Sequence, residues 1–547
     1  MKLRALHFPS LEAAGSRLLN RWDILAALLV GVFSLSAYLR TLAPDILYGD
    51  SAEFQTLAST FGVAHPSGYA LYLLVAKVFT WLPWHNLAWR VSLLSAVMGA
   101  LGLVGMYWMI RLLDGSRSGA LLGAVMVGTG RTFWSQAVIA EVYTLAALTV
   151  LAVLLLLFAW QNDPLHRLCW LFLAALLVGL SLHITVVVMA PPMMLFVCRT
   201  LAASHQPTRQ WVRTLGAGLA GALTGAAIIL LATLALVWHN PSTSHVQVTL
   251  LPSHSAWALD AADLDSPLEQ LMAIVFGVQW QHSLFSGNMA FMLAELKHYL
   301  KWLLNYDLAI WAFPLALVGW GVLLRRRRGW AAFLALYGAT LLFLIVNYLG
   351  PGKYVFYIST YLLIGITAGV GVSWLVSFGP AALRVQPPWL FRTVQALGMA
   401  LLVWVLLSPF WAERWQALKA GAATFVTDND AAYPVHDLLE PRTLAEQRLE
   451  QVEANAMLIL EWKTLYATYF VAQVESRQPG VRILENIPGE HEGTFADSLV
   501  QEITQALARG VPVYSDRPYP KLEANFSFTP LAGSDLFRVE LVAGAGP

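Results

Sequence analysis

Charged residues and cysteines are scarce in this chain of 547 residues. Only 12% of the residues are charged, about half the share of a soluble globular protein, whereas 58% are hydrophobic. This composition excludes a soluble enzyme and predicts a polytopic membrane protein. The two cysteines, Cys169 and Cys198, lie in apolar runs and are too few for a disulfide framework, so we expect buried thiols.

The few charges are distributed unevenly along the chain. Residues 412–547 hold 19 of the 33 acids but only 11 of the 34 Lys and Arg residues, so this tail carries −8 and residues 1–411 carry +9. We therefore predict a membrane domain over 1–411 with basic cytoplasmic loops, followed by an acidic, water-soluble domain over 412–547. We expect the lipid bilayer as a partner and no nucleic acid.

Long apolar runs predict about eleven membrane-spanning helices. A helix needs about 20 apolar residues to cross the bilayer core. Runs of this kind cover 24–43, 90–112, 118–134, 141–160, 214–238, 308–324, 329–349, 354–378 and 393–411. The run 168–198 contains Pro191 and Pro192, which predicts two short helices that meet near His183. No small-residue cleavage site follows the first run, so we expect it to be a retained span.

The apolar run 68–83 is shorter, contains Lys77 and ends at Pro83, so we interpret it as a juxtamembrane or re-entrant helix. If it does not cross, basic clusters such as Arg325–Arg328 face the cytoplasm, as Lys and Arg usually do. The N-terminus is then cytoplasmic, and the loops 44–89 and 239–307 and the C-terminal domain are extracytoplasmic. We predict a prokaryotic plasma membrane.

The acidic tail alternates strand and helix patterns, which predicts a small α/β domain. The strand patterns are AMLILE (456–461), VRILE (481–485), VPVYS (511–515), FSFTP (526–530) and LFRVELV (536–542), with helices expected at 462–475 and 495–509. In the long outer loop, the amphipathic stretch MAFMLAELKHYLKWLL is typical of a helix that lies at the membrane interface.

The predicted topology gathers ionisable side chains at one membrane surface. They are Asp50, Glu53, Arg131, Glu141, His183, Lys353, Tyr354 and Tyr357. A carboxylate in a partly apolar cleft can act as a general base toward a hydroxyl, while Lys, His and Tyr side chains bind phosphate. This set predicts transfer of a group from a membrane-bound phosphate onto a hydroxyl.

Simpler interpretations remain open for these side chains. Asp50 and Glu53 could form a solvated loop, Glu141 could cap a helix, and Arg131 could extend its side chain to the membrane surface instead of binding phosphate. His183 alone would fit a buried histidine with satisfied hydrogen bonds. Two acids could also hold a divalent cation, so metal use is left unknown.

The stretch YGDSAEFQTLASTFGVAHPSGYALY (48–72) resembles the signature of polytopic GT-C membrane glycosyltransferases related to protein O-mannosyltransferases. The pattern is an aromatic residue before Asp-Ser-x-Glu-Phe, then His-Pro-x-Gly-Tyr. The resemblance continues in NLAWRVSLLSA (86–96), FWSQAVIAEVYTLAAL (133–148) and GLSLHIT (179–185), and is strong over about 40–200. Ser67 stands where many relatives have proline.

The resemblance implies a helical bundle with an acidic first outer loop, juxtamembrane helices and a soluble outer domain. It implies inverting transfer of a sugar, typically mannose, from a polyprenyl-phosphate donor. Asp50 is the expected base, supported by Glu53, and Glu141 the second acid. His65 and His183 would lie near the donor phosphate or the acceptor.

The acceptor is left open between a Ser or Thr hydroxyl of a protein and a lipid or glycan. A transporter of lipid-linked saccharides is an alternative of another class. It is disfavoured because the ionisable residues lie at one surface and no internal repeat is visible. A non-catalytic assembly protein would tolerate alanine at Asp50 and Glu141.

Overall fold

The computed structural model describes residues 20–162, 170–171, 173–176, 179, 182–203, 207–350, 352–383, 388–427, 433–488, 494–523 and 525–542. The described chain is mostly helical, with one small sheet near its C-terminal end. The first half of the run 168–198 lies largely outside these residues.

The helices of the described residues follow the apolar pattern of the sequence. They are α1 (Arg21–Thr41), α2 (Gly49–Thr60), α3 (Ala70–Thr80), α4 (Leu87–Leu112), α5 (Arg117–Gly128), α6 (Arg131–Ala137), α7 (Tyr143–Asn162), α8 (Ile184–Val187), α9 (Ala190–Ala203), α10 (Thr208–His239), α11 (Pro267–Phe276), α12 (Met289–Trp302), α13 (Ala312–Arg326), α14 (Arg328–Val346), α15 (Ile358–Leu383), α16 (Pro388–Ala420), α17 (Ala423–Val426), α18 (Glu440–Gln451), α19 (Trp462–Tyr469) and α20 (Asp497–Ala508). Short 3-10 or π turns occupy Val246–Leu250, His254–Trp257, Ala261–Leu264, Val278–Ser283, Leu303–Asp307, Lys353–Tyr357, Phe470–Val474 and Pro520–Leu522.

Eight helical segments of the described chain are long and apolar enough to cross a membrane, so the protein is multi-pass. They are Arg21–Thr41, Leu87–Leu112, Tyr143–Asn162, Ile184–Ala203, Thr208–His239, Arg328–Val346, Lys353–Ser377 and Ala396–Ala420. The prediction of eleven exceeds this number by three, and one of the three, the first half of the run 168–198, lies largely outside the described residues. The run 118–134 forms only the 12-residue α5 and then breaks at Thr129 and Gly130 before α6 begins.

The remaining predicted span, 308–324, forms α13, which has 15 residues. It passes the length test only together with Met289–Asp307, to which it is bent by 104°. The amphipathic stretch predicted at the interface forms α12 and the π turn after it, so it runs almost perpendicular to α13. The bend separates the amphipathic stretch from α13, and its position at the membrane interface stays a prediction.

The segment 68–83 contains an apolar helix shorter than a membrane span, and its place at the membrane surface stays a prediction. Its helix α3 has 11 residues and would span roughly 16 Å, about half of the bilayer core. A turn precedes α3, in which the Gly68 amide donates to the His65 carbonyl at 2.7 Å. Gly68 has φ +87°, and a Cβ there would lie 3.0 Å from Ile274, so this tight turn requires glycine.

The C-terminal part contains a five-stranded sheet in the order β2-β1-β3-β5-β4. The strands are β1 (Met457–Leu460), β2 (Arg482–Glu485), β3 (Val513–Ser515), β4 (Phe526–Pro530) and β5 (Phe537–Leu541). Strand β1 pairs in parallel with β2 and β3, while β5 pairs antiparallel with β3 and β4. The prediction of a small α/β fold is confirmed. Helix α16 continues through the predicted boundary at 411/412, and that boundary stays a prediction.

The C-terminal part packs directly onto the first outer loop. Buried Leu57 of α2 and Leu465 of α19 belong to one continuous hydrophobic core. Arg442 forms an ion pair with Asp45, with nitrogen–oxygen distances of 2.7 and 2.8 Å. Asp45 therefore joins the first outer loop to the C-terminal part, in addition to its place in the turn after α1.

Candidate active site

A cavity of about 880 Å³ lies between the membrane helices and the C-terminal part. Its walls come from the first outer loop, the α6–α7 connection, the start of α8, the long loop 239–307, the turn before α15 and the end of β2. Six of the nine predicted site residues line it, namely Asp50, His65, Arg131, Glu141, His183 and Tyr354. The fold therefore brings these distant parts of the sequence to one cavity.

Asp50 lies in the first turn of α2, where the exposed backbone amides of a helix favour a negative charge. Its Oδ1 accepts a hydrogen bond of 2.7 Å from the indole Nε1 of Trp462. Gly49 has φ +59°, and a Cβ at Gly49 would lie 2.2 Å from the ring of Tyr433. Glycine is thus required to start the helix immediately before the carboxylate.

Glu53 lies behind His65 and does not line the cavity. It is fully buried and binds His65 twice, through the backbone amide at 2.8 Å and through Nδ1 at 2.5 Å. Burial lowers the pKa of His65, but the carboxylates of Glu53, Asp50 and Glu141 outweigh it and raise this pKa to about 9. His65 therefore carries a positive charge at neutral pH, and Glu53 positions it.

Glu141 lies in the connection between α6 and α7 and is 9% exposed. Ser95 of α4 fixes its backbone, since the serine hydroxyl donates to the Glu141 carbonyl at 2.9 Å and accepts from its amide at 3.1 Å. Ser95 thus holds the main chain of Glu141, while Glu141 itself lines the cavity.

A second region of the cavity is rich in aromatic rings. The ring of His183 lies 4.3 Å from that of Phe356 and 5.2 Å from that of Tyr143, and its Nδ1 is 2.9 Å from the Thr185 hydroxyl. The guanidinium of Arg131 lies over the ring of Tyr306 at 4.7 Å. A cation beside aromatic walls suits a phosphate whose lipid chain stays in hydrocarbon.

Lys353 and Tyr357 were predicted to bind the donor, but the structure places neither residue in the cavity wall. The Nζ of Lys353 pairs with Glu295 of α12 at 2.5 Å and donates to the Tyr348 carbonyl. Tyr357 is fully buried, with its ring 4.9 Å from that of Tyr299. Of the three residues predicted in this turn, only Tyr354 faces the cavity.

Several lining residues were not predicted from the sequence. They are His245, Thr249, Gln279, Tyr433, Trp462 and Glu485. The sequence pattern could have indicated Glu485 as a site residue, because Glu485 ends a parallel strand and ligands bind at the carboxyl ends of such strands. Burial raises its pKa to about 7, although the Thr249 hydroxyl donates to it. Nothing in the local sequence pattern distinguishes the others.

Metal use stays a prediction without a residue assignment. In the parts of the chain that the structure describes, no group of three or more His, Cys, Asp or Glu side chains has the arrangement of a metal site.

Residues 50–207 match the family described as the N-terminal domain of the protein O-mannosyl-transferase TMEM260. The mouse protein O-mannosyl-transferase TMEM260 is 36% identical over 124 residues, which are 22% of this chain and 18% of that protein. The Dictyostelium discoideum protein of the same name is 27% identical over 149 residues, which are 27% of this chain and 18% of that protein. The match thus spans under a fifth of each curated relative, and both relatives are eukaryotic.

Two solved structures resemble the fold over nearly the whole chain. ArnT from Cupriavidus metallidurans, bound to undecaprenyl phosphate, aligns with 96% of this chain and 99% of its own, at a TM-score of 0.53 and 15% identity. The oligosaccharyltransferase of Archaeoglobus fulgidus, tethered to an acceptor peptide, aligns with 97% of this chain and 75% of its own, at a TM-score of 0.54 and 10% identity. The chain therefore shares the fold of these two solved structures, and its residues 50–207 are similar to the N-terminal domain of the protein O-mannosyl-transferase TMEM260.

Proposed function

We propose that the protein is a membrane glycosyltransferase that moves a sugar, mannose by family resemblance, from a polyprenyl-phosphate donor to a hydroxyl of a protein Ser or Thr. One observation supports this above the others. Asp50, Glu141 and the protonated His65 share a cavity with Arg131 and an aromatic wall. The cavity thus holds both a base for a hydroxyl and a cation for a phosphate.

In the proposed reaction, Asp50 accepts the proton of the acceptor hydroxyl. The acceptor oxygen forms a bond to the anomeric carbon, and the bond from that carbon to the phosphate oxygen breaks. Polyprenyl phosphate leaves with the electron pair, and the proton on Asp50 later returns to solvent. Attack from the face opposite the leaving group inverts the anomeric centre.

The charged side chains around the cavity suit both the leaving phosphate and the base that acts on the acceptor hydroxyl. The leaving phosphate gains negative charge, which Arg131 stabilises, with Tyr354 and His183 beside it. The helix N-terminus and Trp462 hold Asp50 in place. Glu53, with smaller contributions from Asp50 and Glu141, raises the pKa of His65, so His65 stays charged and offsets the acids at the reacting centre.

The same geometry supports the proposed orientation of the protein. Asp23, at the start of α1, binds Arg111 at 2.7 Å and Arg117 at 2.9 Å, whereas the cavity adjoins the opposite end of α1. We propose that this Arg-rich end is cytoplasmic, and that the cavity and the C-terminal domain are extracytoplasmic. The proposed setting is a prokaryotic plasma membrane.

An in vitro transfer assay tests the function. Purified full-length protein in lipid nanodiscs is given polyprenyl-phosphate mannose and Ser- or Thr-containing peptides, and mass spectrometry detects added hexose. Polyprenyl-phosphate glucose and a glycan acceptor serve as comparisons. Absence of transfer from every donor would contradict the proposal. Transfer only to the glycan would indicate that the acceptor is a glycan and not a protein.

A further inference from the structure

The cavity contains a polar cluster outside the segment 50–207 that matches the family. It consists of His245, Thr249, Gln279 and Glu485, and we call it the outer polar cluster. The first three residues belong to the long loop 239–307, and Glu485 ends strand β2. Two separate parts of the chain thus build this wall.

The hydrogen bonding within the outer polar cluster is incomplete. The Thr249 hydroxyl donates to Glu485 at 2.6 Å, and the His245 Nε2 lies 3.2 Å from the Gln279 amide oxygen. Nδ1 of His245 and Nε2 of Gln279 are buried and have no hydrogen-bond partner within the described residues. Whichever way the Gln279 amide is turned, one of its polar atoms stays unpaired.

Unpaired buried polar atoms are rare because each costs about 1–3 kcal/mol. His245 is 2% exposed, and burial together with the charge of His65 lowers its pKa to about 3, so its ring is neutral. His245 Nδ1 and Gln279 Nε2 thus lie together at the cavity wall, where a bound molecule or an ordered water can complete their hydrogen bonds.

The outer polar cluster adjoins the reacting centre. The ring of His245 lies 6.4 Å from that of His65 and 5.9 Å from that of Trp462, whose indole binds Asp50. The cluster contributes a carboxylate, whereas the region around Arg131 contributes a cation. A phosphate is therefore favoured near Arg131 and disfavoured near Glu485.

Building on the proposed function, we propose that the outer polar cluster is the acceptor subsite, and that Glu485 selects acceptors that are uncharged or cationic beside the hydroxyl. Glu485 can accept from an N–H group and Gln279 can donate to a carbonyl, so together they fit a peptide amide. An anionic group there would meet the carboxylates of Glu485 and Asp50, which repel it.

Three peptides that differ only beside a central threonine test this assignment. The flanking residue is alanine, lysine or aspartate, and kcat and KM are measured at pH 8 with saturating polyprenyl-phosphate mannose. The wild-type protein should use the aspartate peptide about tenfold less efficiently than the other two. Glu485→Gln should raise KM for the alanine peptide and reduce the discrimination against aspartate to about threefold or less.

Two further variants separate charge selection from a structural role. Thr249→Val removes the hydrogen bond but keeps the carboxylate, so it should preserve the discrimination. Gln279→Glu adds a carboxylate and should increase the discrimination, which keeps the test valid if Glu485→Gln fails to fold. Glu450→Gln, on the exposed face of α18, is the matched control.

The outcomes distinguish this inference from the proposed function. If the wild-type protein transfers sugar to no peptide, the proposed function fails. If it does transfer, and Glu485→Gln and Gln279→Glu leave the ranking of the three peptides unchanged, the acceptor assignment is overturned. Equal effects of Glu485→Gln and Thr249→Val on the ranking would also overturn it, because they would indicate a structural bridge.

Discussion

The indole Nε1 of Trp462 donates a hydrogen bond of 2.7 Å to Oδ1 of Asp50, although the two residues are 412 positions apart. Asp50 lies in the first turn of α2, in the predicted first outer loop, and Trp462 begins α19 in the C-terminal part. The proposed base is therefore held by both parts of the protein, so changes in either part should affect the transfer step.

Replacing Asp50 by Asn removes the proposed base and keeps the side-chain shape. We expect transfer to fall by at least about a hundredfold, the usual contribution of general base catalysis, with unchanged expression and melting temperature. The control is Asp265→Asn in the exposed part of the long loop. Turnover of the Asp50 variant within a few fold of wild type would exclude the proposed role.

Replacing Trp462 by Phe keeps an aromatic ring but removes the indole N–H. A hydrogen bond to a charged group contributes about 1.5–3 kcal/mol, so kcat should fall by roughly 10- to 100-fold. Donor binding should change little, because Trp462 binds the proposed base, whereas Arg131 is the proposed cation for the donor phosphate. An unchanged kcat would indicate that the geometry of Asp50 does not depend on the C-terminal part.

Arg131 and Lys353 should respond differently to replacement by Met. Arg131→Met removes the cation that lines the cavity, so the KM for the donor should rise by about tenfold or more. Lys353→Met breaks the 2.5 Å pair with Glu295, which should lower the melting temperature and leave the donor KM near wild type. Equal effects on the donor KM would contradict the assignment of these two cations.

The pair of His65 and Glu53 predicts that stability falls at alkaline pH. The pKa of His65 is raised from 6.5 to about 9, so the folded protein binds this proton more tightly than the unfolded chain. The stabilisation is complete below pH 6.5 and is lost as the pH rises through about 9, with an upper limit of about 3 kcal/mol.

Thermal unfolding in detergent between pH 6 and 10 measures this effect. Glu53→Gln removes the negative charge that raises the pKa and should flatten the profile, whereas the exposed Glu450→Gln should leave it unchanged. Parallel profiles for wild type and Glu53→Gln would contradict the predicted linkage.

Patterns with strong periodicity were predictable from the sequence. Apolar runs predicted most spanning helices, and the alternating runs of the tail predicted all five strands near their observed positions. The span at 118–134 was wrong because the chain breaks after α5, at Thr129 and Gly130, which hydropathy alone does not register.

Site residues were predictable where a sequence motif lies in a loop that the predicted topology places at the site. They were not predictable where a contact with a distant part of the chain decides the position of the side chain. Asp50, His65 and Glu141 line the cavity as expected, because the predicted loops meet at one end of the bundle. Lys353 does not, because Glu295 in a distant part of the long loop pairs with it. Trp462 was not predictable from the sequence, because only the packing of α19 against α2 places it beside Asp50.

The shared core of α2 and α19 has a consequence for biosynthesis. The first outer loop emerges from the ribosome roughly 400 residues before the helix that covers it, and domains generally fold as units during synthesis. Asp50 thus lacks its partner, and the cavity lacks the wall ending at Glu485, until Trp462 and Glu485 have been translated. The nascent chain can therefore engage lipid with its early helices, while the site becomes competent only after these two residues have been added.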